Sequence, residues 1–142
     1  MLVRLMYASR PTAPVRPETL NAILKRSTQH NPVLGVTGVL CFSGTVFLQV
    51  LEGGRSAVSQ LYNRIAQDAR HRDVVLLSYD EIAERSFAGW AMGQVDMSRL
   101  NAALLLKYSE TAVLDPYAVS GKVSLALFNE LVATASVTCL QA

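Results

Sequence analysis

Charge is scarce in this 142-residue chain: Asp, Glu, Lys and Arg make up 17% of it, and 13 basic against 11 acidic residues leave a net charge of +2. So small a balance gives no electrostatic footprint for nucleic acid, and DNA is not an expected partner. Cysteine is equally sparse. Cys41 and Cys139 stand far apart with no metal-type spacing and no histidine cluster, so neither a disulfide framework nor a zinc site is expected, and two buried thiols suit a reducing compartment. No apolar run reaches the length of a membrane span, and the N-terminus lacks a charged-then-apolar leader with a small-residue cleavage site. The expectation is a cytoplasmic protein without membrane contact. Internal repeats and low-complexity tracts are also missing. What is plentiful is hydrophobic residues, at 51%, enough for a packed interior and too many for general disorder. The length allows one compact domain with a short appendage and excludes a multidomain enzyme.

Leu2 to Ser9 carries apolar residues at odd and even positions, the pattern of a strand buried on two faces, with Arg10-Pro11 as its end. From Pro17 to about His30, Leu20, Ile23, Leu24 and Ser27 follow helical spacing; Pro17 suits a first turn and Pro32 is expected to stop the helix. Val36–Phe42 and Val46–Leu51 flank Ser43-Gly44-Thr45, an antiparallel hairpin in which glycine admits positive φ. Gly53-Gly54 reads as a strand break. Val58, Leu61, Tyr62 and Ile65 then form the stripe of a second helix, with Ser56 or a neighbour as its cap. Strands follow over Asp73–Tyr79 and around Trp90–Val95. The order predicts an α+β, ferredoxin-like fold: a mixed five-stranded sheet with two helices on one face.

That core takes residues 1–96, and residues 97–142 read as a helical extension for capping, oligomerisation or output. Leu100, Leu104 and Leu105 look helical, residues 108–121 read as a turn-rich connection, and residues 123–135 as a further helix. Its arc of Leu125, Phe128, Val132 and Ala135, widened by Leu127 and Leu131, needs a cover: the bare sheet face or a second copy of the chain.

Several polar residues sit where the pattern calls for apolar ones. The first helix's stripe runs through Ser27 to Asn31; Gln49 shares a strand face with Phe47 and Leu51; Tyr7 lies in the first strand. Buried polar groups need partners. Taken singly, each reads as an ordinary satisfied core residue, and Asn31 as a helix end before Pro32. Together, a phenol, two carboxamides and a hydroxyl facing one helix–sheet crevice suggest a planar ligand with alternating donors and acceptors. Ile23, Leu24, Leu40, Phe47 and Ile65 supply apolar walls for a heteroaromatic cofactor. Arg64, Asp68, Arg70 and His71 offer charge for a phosphate tail, or simply a solvated face and a polar loop.

These pieces resemble the BLUF family of blue-light sensors that use flavin adenine dinucleotide. The resemblance covers residues 1 to about 96. It rests on ordered blocks: Leu5-Met6-Tyr7-Ala8-Ser9, His30-Asn31 followed by Gly35 to Leu40, Phe47-Leu48-Gln49-Val50-Leu51-Glu52-Gly53, Asp68-Ala69-Arg70-His71, and Ile82 to Met92 with Phe87, Gly89 and Trp90 inside it. Ala69 departs from the proline that many members carry in the Asp-Pro-Arg-His loop.

The resemblance implies a photoactive Tyr7, and Gln49 between its phenol and the flavin edge. It implies Asn31 holding the flavin's polar edge, and His30, Arg70 and His71 contacting or flanking the ring. Asp68, Arg64 and Ser27 are further contacts. Trp90 and Met92 match two positions that exchange between inward and outward placement near the glutamine. FAD is the implied cofactor, with FMN or riboflavin as substitutes. Electron and proton transfer from Tyr7 would leave Gln49 rotated, tautomerised or both, and no substrate would be consumed. With no cyclase or phosphodiesterase in these residues, the output would pass to a separate signalling protein, and a homo-oligomer is expected from the apolar last helix. Two other readings stay open: a small ferredoxin-like metabolite-binding enzyme using Arg70 and His71, and a ligand-free dimerisation module. The first lacks a nucleophile–base pair, and the second leaves the polar set unexplained.

Overall fold

The computed structural model describes residues 1–96, 100–134 and 137–139. The elements are β1 (Leu2–Pro11), α1 (Pro17–Leu34), β2 (Thr37–Phe42), β3 (Phe47–Gly54), α2 (Arg55–Ala66), β4 (His71–Ile82), β5 (Gly93–Val95), α3 (Ala102–Tyr108), α4 (Gly121–Ala133) and β6 (Val137–Cys139). One sheet runs in the order β4-β1-β3-β2-β5-β6. The first four strands pair antiparallel and β5 joins β2 in parallel, so the sheet is mixed as the element order predicts. The short β6 adds a sixth strand beyond the five expected.

Strand alternation sorts the core into two clusters, one per face. Val3, Leu5, Tyr7, Leu40, Phe47, Leu51 and Met92 face the layer of α1 and α2 with Leu24 and Val58. Met6, Ala8, Val39, Cys41, Leu48 and Val50 face the other way, against Leu105, Leu114, Leu127, Phe128 and Leu131. The apolar arc of the last helix is thus spent on the chain's own sheet, and the three-layer arrangement needs no second copy to cover it. Burial of large side chains at roughly 1.5–3 kcal/mol each makes this second face a main source of stability. Ala135 and the side chain of Cys139, both part of the sequence expectations, lie outside the described residues.

Three local expectations are corrected. Pro32 does not stop α1, which runs on to Leu34. Proline removes one ladder bond but leaves the backbone helical, and the stop comes from Gly35 at φ 69°. There the Gly35 N–H reaches the Pro32 carbonyl at 3.1 Å and the Val36 N–H that of Asn31 at 2.9 Å. Gly53-Gly54 does not break β3, since both pair with β1; a β-carbon on Gly53 would stand 3.0 Å from the Gly35 carbonyl oxygen, so glycine admits the end of α1. Helix α2 follows at once, with Gly54 at its N-cap and no side-chain cap from Ser56.

Candidate functional site

Tyr7 on β1 and Gln49 on β3 are direct cross-strand partners, and Leu40 on β2 is the next neighbour of Gln49. All three therefore point to the α1–α2 face. A register shift between Met6 and Tyr7 in the pairing with β4 falls beside the phenol, where such irregularities turn a side chain. Between sheet and helices lies a cavity of about 600 Å³, within the range that takes a cofactor-sized ligand.

Of the pocket residues expected from the sequence, Tyr7, Ser27, His30, Asn31, Gln49, Arg64, Asp68, Arg70, His71, Ile23, Leu40, Phe47 and Ile65 line it; Leu24 does not, because its side chain is fully buried in the core between α1 and the sheet. The sheet gives the floor. Helix α1 presents Ile23, Ser27 and Asn31 at i, i+4 spacing along one side, and the end of α2 with the following loop closes the other. Sequence reasoning missed Arg26, Thr12, Val15 and Leu61, which also line the space. Arg26 was legible, because it lies four residues before His30 on α1. Thr12 and Val15 come from a connection without periodic pattern.

The polar groups form a connected chain. Tyr7, 4% exposed, donates its Oη hydrogen to Gln49 Oε1, and Gln49 donates from Nε2 to Met92 Sδ at 3.3 Å. The phenol and the thioether together fix which way the carboxamide points. Burial, with a smaller contribution from Tyr62 and then Asp68, pushes the Tyr7 phenol above its ordinary range. Asn31 donates from Nδ2 to the Ala91 carbonyl at 2.9 Å, tying α1 to the residue between Trp90 and Met92. Met92 is buried in the cavity-side cluster, whereas Trp90 is half-buried against the opposite cluster and its carbonyl accepts from the Gly38 N–H at 3.1 Å. The side chain beside Gln49 is Met92. The fifth strand, expected from Trp90, begins only at Gly93.

At the mouth, Arg70 grips Asp68 with Nε and Nη2 at 2.7–3.1 Å. Chiefly through that hydrogen bonding, the Asp68 carboxyl falls to about 2. His71 lies between the Ser9 hydroxyl at 2.8 Å from Nδ1 and the Ile65 carbonyl at Nε2. A carbonyl only accepts, so Nε2 carries a hydrogen. Both residues that the enzyme reading would use are thus engaged in holding the loop. The Cys41 thiol faces the other cluster, and burial pushes it up to about 12, far from a reactive thiolate. His30, Arg26 and Arg64 are exposed at the rim.

The residues present suit a flavin: apolar walls for a flat ring, buried amides for its edge, and cations at the opening. A family described as "Sensors of blue-light using FAD", BLUF, matches residues 2–93. The photoactivated adenylate cyclase subunit beta of Euglena longa is 39% identical over 92 residues, which are 64% of this chain and 11% of that protein. The chain therefore spans about a tenth of that relative's length. Among solved structures, the photo-activated state of BlsA has a TM-score of 0.81 at 30% identity, covering 92% of this chain and 94% of that one. Klebsiella pneumoniae BlrP1 with FMN and cyclic diGMP has a TM-score of 0.67 at 40% identity, covering 72% and 28%. With the fold, the cavity and the family match in agreement over the same residues, the chain belongs to the BLUF family.

Proposed function

We propose that this chain is a blue-light sensor that holds a flavin in the helix–sheet cavity, and that residues 1–96 form the sensor and residues 97–142 its cap and output. The observation that carries the reading is the buried chain that runs from Tyr7 and Gln49 on the cavity wall to Met92 behind it. FAD is the proposed ligand, with FMN and riboflavin as substitutes that fill the same ring site. The BlrP1 structure with FMN supports the substitution.

Flavin, when bound, supplies a blue-absorbing ring whose excited state is a strong one-electron oxidant. Beside such a ring Tyr7 would be the electron donor, and its Oη proton would follow the hydrogen bond it makes to Gln49. Once that bond is disturbed, the Gln49 carboxamide can rotate or tautomerise, because an amide serves as donor or acceptor within one volume. Rotation exchanges what Gln49 offers Met92: Nε2 donates to the thioether now, and Oε1 would not. Ile23, Leu40, Phe47 and Ile65 keep water from the ring. Asn31 carries any shift of the cavity edge to Ala91, one residue before Met92.

Output then runs from Met92 through β5 and β2 to the helices on the far face, and on to a separate signalling protein. No nucleic-acid or membrane partner is proposed, since net charge is +2 and, among the described residues, no helix is long and apolar enough to cross a membrane. A cytoplasmic location is supported by the sparse cysteine usage, two residues far apart in sequence. A homo-oligomer stays in the proposal for sedimentation to test, because the arc that motivated it is buried within the chain.

The test is spectroscopic. Purified protein should be yellow, and blue light should shift its flavin band reversibly to the red. Gln49→Leu should keep the colour and lose the shift; an unchanged shift in that variant removes Gln49 from the mechanism.

A further inference from the structure

Tyr7 has a second phenol as neighbour. The ring of Tyr62, from the apolar stripe of α2, stands with its centroid 5.6 Å from that of Tyr7 at an interplanar angle of 53°, within the range of a packed aromatic pair. Tyr7 borders the cavity and is buried; Tyr62 does not border it and is half-exposed. The two rings thus make a short path from the cavity wall to the surface. We infer that Tyr62 is an outward electron relay for Tyr7, a positioning residue that competes with the Gln49 switch. The inference rests on the proposed flavin photochemistry.

The step balances as follows. Tyr7 loses one electron to the light-excited flavin. In the productive route the Tyr7 proton moves along the hydrogen bond to Gln49. In the competing route Tyr62 gives one electron to oxidised Tyr7 before that proton leaves, so Tyr7 is restored with its O–H intact. Tyr62 then releases its own Oη proton to water and becomes the neutral tyrosyl radical. The net transfer is one electron from Tyr62 to flavin and one proton from Tyr62 to solvent.

Environment sets the direction. The Tyr7 phenol is buried and, among the described residues, donates to Gln49, whereas Tyr62 is half-buried on α2 with part of its surface open to solvent, where a proton can leave. Burial raises the cost of ionising both phenols, with Tyr7 the more deeply enclosed. Because the hole leaves Tyr7 without moving its proton, a cycle that takes this exit ends with Gln49 as it began. The relay therefore lowers the yield of the switch and places an oxidised residue where a small reductant can reach it.

Flavin-loaded full chain is frozen under blue light and examined by electron paramagnetic resonance, with the red shift followed in parallel. Wild type should trap a tyrosyl radical. Tyr62→Phe, which keeps the ring and the packing, should lose that radical and form the shifted state in higher yield. Tyr62→Trp should restore a trapped radical, now of tryptophanyl line shape, which a purely structural role would not produce. A radical in Tyr62→Phe equal to that of wild type overturns the relay, and so does a wild type that shifts to the red with no trapped radical. Protein that binds no flavin and shows no shift overturns the sensor reading, and the relay with it.

Discussion

Glu52 is the most exacting place to perturb this structure. Its side chain is fully buried, three residues beyond Gln49 on β3 and turned to the opposite face. Oε2 accepts from Arg4 Nε at 2.8 Å and from the Ser86 N–H at 3.0 Å, and Oε1 accepts from the Phe87 N–H at 2.6 Å. Arg4 also donates to Ser86 Oγ at 2.7 Å. Glu52 thereby pins the loop between β4 and β5, the one that carries Trp90 and Met92. Glu52→Ala leaves a guanidinium with a 13% exposed side chain unpaired. Breaking a buried pair in this way costs about 3–5 kcal/mol. Two backbone amides also lose their acceptor, at roughly 1–3 kcal/mol each if water cannot reach them. These costs overlap, and about 4 kcal/mol is expected, a large share of a domain's roughly 5–15 kcal/mol. The thermal midpoint should fall by about 10 °C, at roughly 3 °C per kcal/mol for a chain of this size. Glu52→Gln, which keeps the shape and one carbonyl acceptor, should lose about half as much. Urea unfolding followed by circular dichroism gives the energy, and hydrogen exchange at Gly38, whose N–H is held by the Trp90 carbonyl, reports whether the loop loosens. A loss below about 1 kcal/mol in Glu52→Ala, with Gly38 exchange unchanged, would refute the pinning role, because a buried pair cannot be removed so cheaply.

Two further outcomes follow from particular groups. The Asp68 carboxyl is lowered to about 2 in the fold, first by its hydrogen bond from Arg70, so its contribution is present above the unfolded value near 4 and is lost as pH falls from there towards 2. With a side chain 32% exposed, that contribution is about 1 kcal/mol after solvent screening. Asp68→Asn should flatten this part of the acid-denaturation curve, and an unaltered curve would show that the Arg70 clasp contributes nothing. Gly121→Ala should lower the unfolding free energy in urea by about 1–2 kcal/mol despite alanine's better helix propensity, since a β-carbon there would overlap the Leu77 carbonyl oxygen. A neutral result would mean that α4 can slide on β4.

How far the sequence discloses the site depends on which side of the sheet a residue serves. Tyr7, Asn31 and Gln49 stand out because polar groups break an apolar pattern, and the period-two rule already puts Gln49 on one face with Phe47 and Leu51. Cross-strand register then joins Tyr7 to Gln49, which no local pattern contains. Met92 and Trp90 are different. They lie next to and just before a three-residue strand, and alternation over so short a run cannot decide which is inward. Their placement is set at long range: Met92 by Gln49 and the adjacent tie from Asn31 to Ala91, and Trp90 by the Gly38 N–H and the far-face cluster. Pro32 and Gly53-Gly54 mislead for a related reason. Each is a local breaker that long-range packing absorbs, Pro32 because Gly35 closes the helix one turn later, and Gly53 because its missing side chain makes room for that closure. The same glycines that blur the element boundaries bring the end of α1, and Asn31 with it, against β3. Asn31 reaches the Ala91 carbonyl from a helix end that Gly53, lacking a β-carbon, lets close on β3. A substitution at Gly53, remote from any ligand, should be felt first at Met92.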